Sequence, residues 1–581
     1  MINSIKQTLP LFTEKFFDSG EQITRLGNGE YGGKASGLIF INEVLKSKFN
    51  VSDFPDITIN IPTMVVIPTD VFDEFMMKNA LYEIAKSDLP DDRIALAFQK
   101  AELPFGILGD LRTLISKVKS PLAIRSSSLL EDALQEPFAG IYSTKMTPNN
   151  QGDTDTRFRK LIEAIKLVYA SVYFKSAKDY MAATEHNIEE EKMAVIIQEI
   201  VGKRYNERYY PELSGVARSY NFYPFSNAKP EDGVVNLALG LGKTIVDGGI
   251  SWVYSPELPK ESPPYGTISE VLKQTQTEFW SVNMGKAPAY DPIKETEFML
   301  KENITVAEYD GTLRYVASTL SESGRLSIGV GADGPRVINF SYLLVLNEIP
   351  INKLIKTLLT VCEDELNSPV EIEFAATFNP ARFGFLQVRP MVVSSKEVVV
   401  TEDDLNKDNI LLASENVLGN GINNSIQDII FVKPEIFNTK NTKQIADELE
   451  NLNKILVSKH CPYLLVGFGR WGSSDPWLGI PVNWGQVSGA KVIIESGIEN
   501  LNVEFSQGSH FFHNLTSFNV NYFSVKVSDS NQVDWDWLSK QQIETDMEFV
   551  RHVRLSLPLL IKVDGKTGRG VIYKSEMVEN G

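Results

Sequence analysis

PLAIRSSSLLEDALQEPFAGIYSTK, residues 121–145, runs from an apolar stretch, Leu122 to Ile124, into Arg125 and the three serines Ser126, Ser127 and Ser128. An acidic pair follows, Glu131 and Asp132, before a second turn at Phe138, Ala139 and Gly140. The pattern predicts a strand that feeds a hydroxyl-rich loop with one cation at its mouth. Such a loop suits a polyphosphate. A guanidinium takes phosphate oxygens in bidentate fashion, and hydroxyls and backbone N–H groups take the rest. The same residues also read as a strand ending in a solvated serine turn, so the rest of the chain decides between the two.

Upstream, LGNGEYGGKASGL at residues 26–38 sets Gly27, Gly29, Gly32 and Gly33 before Lys34, and helical apolar spacing follows from Leu38 through Ile41 to Leu45. Glycines let backbone approach an anion, a helix N-terminus offers unpaired N–H groups, and lysine adds a point charge. The spacing is not that of a Walker A loop. A glycine turn with a surface lysine is the alternative. Residues 61–77 predict a short strand followed by a helix capped at Thr69 or Asp70, and residues 154–183 predict one core-facing helix with Phe158, Leu161, Ile165, Val168 and Val172 on one side.

Downstream, KMAVIIQEIV at 192–201 is an apolar strand that ends on Gln198 and Glu199. GVVNLALGLGKTIVDGG at 233–249 runs a second strand into Gly240, Gly242 and Lys243. VEIEFAATFNPARFGFLQVRP at 370–390 predicts a hairpin whose alternation puts Glu371 and Glu373 on one face, with Gln387 and Arg389 returning beside them. Carboxylates with a carboxamide are the hard oxygen donors that magnesium bridging phosphates requires. Cross-strand Glu–Arg pairing on an exposed face is the competing reading.

The chain has 581 residues, 43% hydrophobic and 23% charged, which allows three or four subdomains. Its 57 basic residues against 75 acidic ones, a net charge of -18, argue against nucleic acid or an anionic membrane as the main partner. The 2 cysteines, Cys362 and Cys461, cannot build a disulfide framework, and no leader-like or membrane-spanning run is found, so a cytoplasmic location is expected.

GGKASGL, IPTMVVIPTDVF, AIRSSSLLED, FAGIYST, AVIIQEIV, SGVA, GLGKTIVDGG and EIEF…FLQVRP, in that order, resemble the ATP-binding domain of the pyruvate phosphate dikinase and phosphoenolpyruvate synthase family. The resemblance covers about residues 20–395. It implies an α+β fold of ATP-grasp type, a clamp of several subdomains on Mg-ATP, divided here as 1–145 and 146–395; residues 396–581, which read as a strand at 428–433, a helix at 439–458 with Ile445, Leu449, Leu452 and Leu456 on one face, and a buried strand at 463–466, are expected to form a smaller α/β domain. By position it implies that Lys34 and Arg125 hold phosphates, that Gln198 and Glu199 lie beside the adenine, and that Gly240, Gly242 and Lys243 belong to the loop over the phosphates. Glu371, Glu373 and Gln387 would hold Mg²⁺. Two departures stand out: the family has Asp-Ile-Glu where this chain has Glu371-Ile372-Glu373, and a residue other than lysine where Lys243 follows Gly-Leu-Gly.

Family members pass the phosphoryl group to a histidine on a swivelling domain and then to pyruvate in a large barrel. No such histidine segment is found, and the residues after 395 are too few for a barrel of about 250 residues. A complete phosphoenolpyruvate synthase is therefore not expected. In the C-terminal part, GFGRWGSSDPWLGIPVNW at 467–484 contains G-x-G-x-x-G without the following helix of a dinucleotide site. It reads either as a rigid loop presenting Arg470, Trp471 and Ser473 to an anion or base, or as a packed structural loop. SQGSHFFHNL at 506–515 holds His510 and His513, three apart. They read as a phosphoryl acceptor, a metal pair or structural histidines, and His510 is the candidate catalytic nucleophile.

Two functions follow. One is an ATP-dependent phosphotransferase acting on its own histidine, a small molecule or a separate protein. The other is an ATP-binding regulatory module that closes on nucleotide and reports to a partner without turnover.

Overall fold

The computed structural model describes residues 9–131, 140–182, 188, 191–261, 268–322, 324–391, 393, 398–407, 409–497, 509–526, 532–565 and 567–574. Asp132, Phe138 and Ala139 of the serine-loop stretch lie outside them. The fold is mixed α/β with several sheets.

The serine stretch forms the strand Leu122–Ser128 of a five-stranded sheet. The strand order is Ile23–Arg25, Met64–Ile67, Met193–Glu199, Leu122–Ser128 and Lys145–Thr147. Alternate residues on a strand face opposite ways. Val65, Ile67, Ile124, Val195 and Ile197 therefore join a cluster with the helices Thr69–Lys78 and Thr154–Ser171. Met64, Val66 and Ile196 join a different cluster, with Leu38 and Ile41 of the helix Gly32–Ser47. Arg125 pairs with Ile196 and so emerges on that second face.

The predicted hairpin forms, Val370–Phe378 against Ala381–Pro390, with Glu371 opposite Arg389 and Glu373 opposite Gln387. It lies within a six-stranded sheet, between Leu213–Arg218 and Thr58–Asn60. The helix Ile351–Leu366 buries Leu354, Ile355, Leu358, Leu359 and Cys362 in the same cluster as Ile372 and Phe374 of the hairpin, the five falling in two adjacent i, i+4 rows, 354/358/362 and 355/359, of one helical face. Four-stranded and three-stranded sheets complete this part, around Glu278–Asn283 and Ala317–Leu320 respectively.

Three expectations shift at their edges. The glycine-loop helix starts at Gly32, so Lys34 belongs to its first turn. Gly32 adopts φ +73, and a Cβ there would lie 1.8 Å from the Ser127 carbonyl oxygen, a close approach only glycine permits. The helix after 61–67 begins at Thr69 with Pro68 as its N-cap. The helix from 154 ends at Ser171, and a second follows at Lys175–Ala182.

Beyond residue 400, a seven-stranded sheet has four parallel central strands, Asp428–Val432, Tyr463–Phe468, Ala490–Ser496 and Asn521–Val525. One face packs on the four-stranded sheet that contains Leu560–Asp564 and Arg569–Tyr573. The other carries the helices Thr442–Ser458 and His510–Ser517, which share one apolar cluster with Phe75, Phe98 and Tyr169 of the first part. Tyr180 packs edge-on against Phe518 at 5.5 Å and Phe518 stacks on Trp484 at 5.0 Å, so the two parts share a continuous core. The consequence for function lies in the strand ends. The carboxyl end of Tyr463–Phe468 leads to the 469–475 loop, whose Arg470 bonds to Gly248 and Gly249, and the helix of His510 packs against Gly140, so both contact the part of the chain before residue 400.

Candidate nucleotide and phosphate site

A cleft of about 280 Å³ opens where the five-stranded sheet, the hairpin and the glycine loop meet. Lys34, Arg125, Gln198, Glu199, Gly242, Lys243, Glu373, Gln387 and His510 all line it. One strand of the sheet delivers Arg125, its neighbour delivers Gln198 and Glu199, and the two hairpin strands deliver Glu373 and Gln387.

Arg125 is the hub. Its Nη1 donates to the Gln198 side-chain oxygen at 3.2 Å and to the Leu386 carbonyl at 2.7 Å, and its Nη2 donates to Gln387 Oε1 at 3.0 Å. Glu373 lies 3.8 Å away as an ion-pair partner. Burial pushes the Glu373 carboxyl above the usual carboxylate range, although Arg389 and Arg125 oppose this. Lys34 reaches Ser126 Oγ at 3.3 Å and ion-pairs with the buried Glu131, whose carboxylate is also held by Ser126 and by the Ser128 backbone N–H. The serine loop therefore holds the lysine as well as offering hydroxyls.

At the other end of the cleft Ala123, Met146, Ile200, Leu241, Met299 and Leu386 make an apolar slot beside Gln198 and Glu199, suited to a flat heteroaromatic ring. The sequence offered no local signal for Met146 or Met299, because distant segments bring them together. Glu199 accepts a hydrogen bond from Ser120 Oγ at 2.6 Å. Gly240 does not line the cleft. With φ +84 it makes the turn behind the loop, where a Cβ would meet the Trp280 carbonyl oxygen at 2.6 Å. Lys243 is paired with Asp247 at 2.9 Å and with Glu295 at 3.9 Å. Burial would lower its pKa, but these two acids outweigh burial and raise it. The extra cation of this loop therefore arrives largely neutralised by its neighbours.

Glu371 departs from the expected metal set. It is buried and absent from the cleft wall. Arg218 Nε donates to its Oε2 at 2.5 Å and Arg389 Nε to its Oε1 at 2.7 Å, so both oxygens are taken. Burial opposes the charge, yet the two guanidinia keep the carboxyl below its usual range. Glu373 and Gln387 do line the cleft, Glu373 beside Arg125 and Gln387 accepting from it, and are the two side chains that would hold a magnesium ion there. Among the described residues no group of three His, Cys, Asp or Glu could hold a metal ion. Two protein oxygens fit magnesium, which commonly takes the rest of its shell from phosphates and water.

The C-terminal part closes the cleft. His510 starts the helix His510–Ser517, which Ser509 caps by accepting from the Phe512 backbone N–H at 3.2 Å. An ideal Cβ on Gly140, φ +70, would lie 2.4 Å from His510 Nδ1 and 2.7 Å from its Cγ. The Nδ1–Cγ edge of the ring is therefore against the Gly140 backbone, and the edge carrying Nε2 faces away from it. Burial and the charges of Arg389, Lys34 and Lys243, against that of Glu371, lower the His510 pKa from 6.5 to about 3. His513 is buried and lowered too, by burial and then by Arg389, Arg218 and His510. The loop of Arg470, Trp471 and Ser473 is structural. Arg470 Nη1 donates to the Gly248 and Gly249 carbonyls at 2.8 and 3.1 Å, Trp471 Nε1 donates to the Ile494 carbonyl at 3.2 Å, and the Ser474 backbone N–H donates to the Asp247 carbonyl at 3.1 Å. It ties the C-terminal sheet to the glycine loop.

A prediction follows from the two histidines. Each binds a proton less readily folded than unfolded, so their contribution to stability is complete above pH 6.5, the unfolded value, and is lost as pH falls toward 3. Thermal unfolding midpoints should decline from pH 7 to pH 4.5, and less steeply in His510→Asn than in wild type. Equal slopes in the two proteins would count against a neutral imidazole at His510.

The family model for the pyruvate phosphate dikinase AMP/ATP-binding domain matches residues 29–409, and the chain belongs to that family. It is similar to the phosphoenolpyruvate synthase of Aeropyrum pernix, 24% identical over 396 residues, which cover 63% of this chain and 41% of that protein. The chain thus spans less than half the length of this relative. Among the described residues no helix is long and apolar enough to cross a membrane.

Proposed function

We propose that residues 1–145 and 146–395 form an ATP-grasp clamp, that 396–581 form an acceptor-side α/β domain, and that the chain is an ATP-dependent phosphotransferase. The observation that carries this reading is the convergence of Lys34, Arg125, Glu373, Gln387 and His510 on one cleft. In the proposed complex the adenine fills the apolar slot beside Gln198 and Glu199, and Arg125 and Lys34 take phosphate oxygens, with Gly242 beneath them. Glu373 and Gln387 hold a magnesium ion, which would screen phosphate charge and orient the triphosphate. Positioning and electrostatic stabilisation then supply most of the catalysis.

His510 is the proposed first acceptor. As a neutral imidazole its free nitrogen attacks phosphorus, the bridging P–O bond breaks, the leaving oxygen keeps the electron pair and is stabilised by Lys34 and Arg125, and the ring N–H proton passes to water. One observation favours the second reading, a regulatory module without turnover: Glu131 holds Lys34 in an ion pair, which phosphate would have to displace.

The test is incubation of the protein with Mg-ATP labelled at the β or the γ position, resolving AMP from ADP and recording acid-labile, base-stable label on protein. Label in wild type and its loss in His510→Ala support transfer to this histidine. Label unchanged in that variant places the acceptor elsewhere. Saturable ATP binding with no AMP, ADP or label establishes the regulatory module instead.

A further inference from the structure

The nucleotide-binding hairpin carries two layers of polar side chains. Glu373 and Gln387 face the cleft, and two residues along the same strands Glu371 and Arg389 form the next cross-strand pair. This second layer is buried: Glu371 is 1% exposed, and Arg218 and Arg389 are each 2% exposed. A carboxylate taken out of water between two guanidiniums is retained only where its hydrogen bonds are well made, and removing it leaves uncompensated buried charge. A metal ion placed on Glu371 would have to displace both arginines.

The layer is roofed by the C-terminal part. The Arg218 guanidinium lies 4.6 Å from the centroid of the Phe512 ring, on the helix that begins with His510. Phe512 is wholly buried, with Phe222 at 5.6 Å and Tyr223 at 6.1 Å. Arg218 Nη1 has no hydrogen-bond partner among the described residues, so the aromatic face is what covers that end of the cation. Cation and ring belong to different parts of the chain, and neither is solvated where they meet.

We propose that Glu371 is a positioning residue rather than a metal ligand: it fixes Arg218 under Phe512 and thereby seats the helix His510–Ser517 against the nucleotide hairpin. This rests on the phosphotransferase reading for its consequence in catalysis, but not for its geometry. The chain of contacts is short. Glu371 holds Arg218, Arg218 holds Phe512, and Phe512 lies two residues after the histidine at the cleft wall. Glu371 also accepts from Arg389, whose strand carries Gln387, so one carboxylate registers both hairpin strands to the acceptor-side helix.

Two readouts on the full chain, in wild type, Glu371→Gln and Phe512→Leu, test this. The first is Mn²⁺ affinity, by electron paramagnetic resonance titration with a saturating non-hydrolysable ATP analogue. The second is amide hydrogen exchange of residues 510–517 without nucleotide, with the helix Thr154–Ser171 as internal control. Glu371→Gln is expected to keep Mn²⁺ affinity within threefold, while exchange of 510–517 quickens at least tenfold and the control helix is unchanged. Phe512→Leu, with every charge intact, should give the same acceleration. A loss of Mn²⁺ affinity of tenfold or more in Glu371→Gln would make it a metal ligand and overturn the proposal. Unchanged exchange of 510–517 in Phe512→Leu would overturn it as well, and that variant decides the matter if Glu371→Gln does not fold. Failure of wild type to bind the ATP analogue would refute the phosphotransferase reading, while the exchange measurement would still decide the clamp.

Discussion

Replacing Arg125 with alanine is expected to lower kcat/KM for ATP by roughly 100-fold to 1000-fold, the range found when one preorganised charged donor is removed from a transition state. The expectation rests on position. Arg125 ties two strands of the site together, bonding to Gln198 on one and to the Leu386 carbonyl and Gln387 carboxamide on the other. It also faces Glu373 at 3.8 Å, so its loss leaves a buried carboxylate without that cation and raises the Glu373 pKa further. Lysine should not rescue, because a point charge on a flexible stem cannot keep the fork geometry. Steady-state ATP turnover together with equilibrium nucleotide binding checks this. A variant within threefold of wild type in both would remove Arg125 from the phosphate site.

Gly32→Ala is expected to be among the most damaging single methyl additions in the chain. The new Cβ would lie 1.8 Å from the Ser127 carbonyl oxygen and 2.4 Å from its carbon, at a backbone φ of +73 that L side chains rarely adopt. Both neighbours are backbone, so neither can rotate away. Ser127 is held in turn, its hydroxyl accepting from the Ala35 backbone N–H at 3.0 Å and donating to the Tyr31 carbonyl at 2.8 Å. The helix carrying Lys34 would have to move off the strand carrying Arg125, at a cost of about 3 kcal/mol or more. Urea unfolding of the first transition should move by that amount, with ATP affinity falling alongside. A shift below about 0.5 kcal/mol, the range of ordinary surface changes, would contradict the packing described.

How far the site was legible in the sequence depends on the range of the signal. Period-two alternation in 370–390 was enough for the hairpin and for the shared face of Glu371, Glu373, Gln387 and Arg389, because a strand's facing is a local property, whereas the register that sets Glu373 opposite Gln387 is seen only in the fold. Helical spacing gave the helix Thr442–Ser458 to within a few residues. Lys34 and Arg125, which both line the cleft, stood out as cations beside glycines and serines, and the order of eight motifs tied them to one family. Glu371 lies off the cleft wall for a physical reason. Alternation reports which face a side chain takes but not what sits opposite, and Arg218, whose strand lies next to the hairpin but far away in sequence, had given no sign of itself. The same limit hid the apolar slot: Met146, Ile200 and Met299 meet only through tertiary packing. The Arg470 loop looked like a ligand loop because glycines, an arginine and serines make the same pattern when they tie two sheets together through backbone carbonyls. His510 was singled out only as a histidine in a chain with few of them. Its place against Gly140 at the cleft wall belongs to the three-dimensional arrangement alone.

The most direct test of the central claim is a crystal structure of the chain with magnesium and a non-hydrolysable ATP analogue. The account predicts phosphate oxygens within hydrogen-bond reach of Arg125 and Lys34, the metal on Glu373 and Gln387, the adenine in the slot beside Gln198 and Glu199, and Glu371 still between its two arginines. Nucleotide bound away from this cleft, or a metal ion seated on Glu371 with Arg218 and Arg389 displaced, would contradict it.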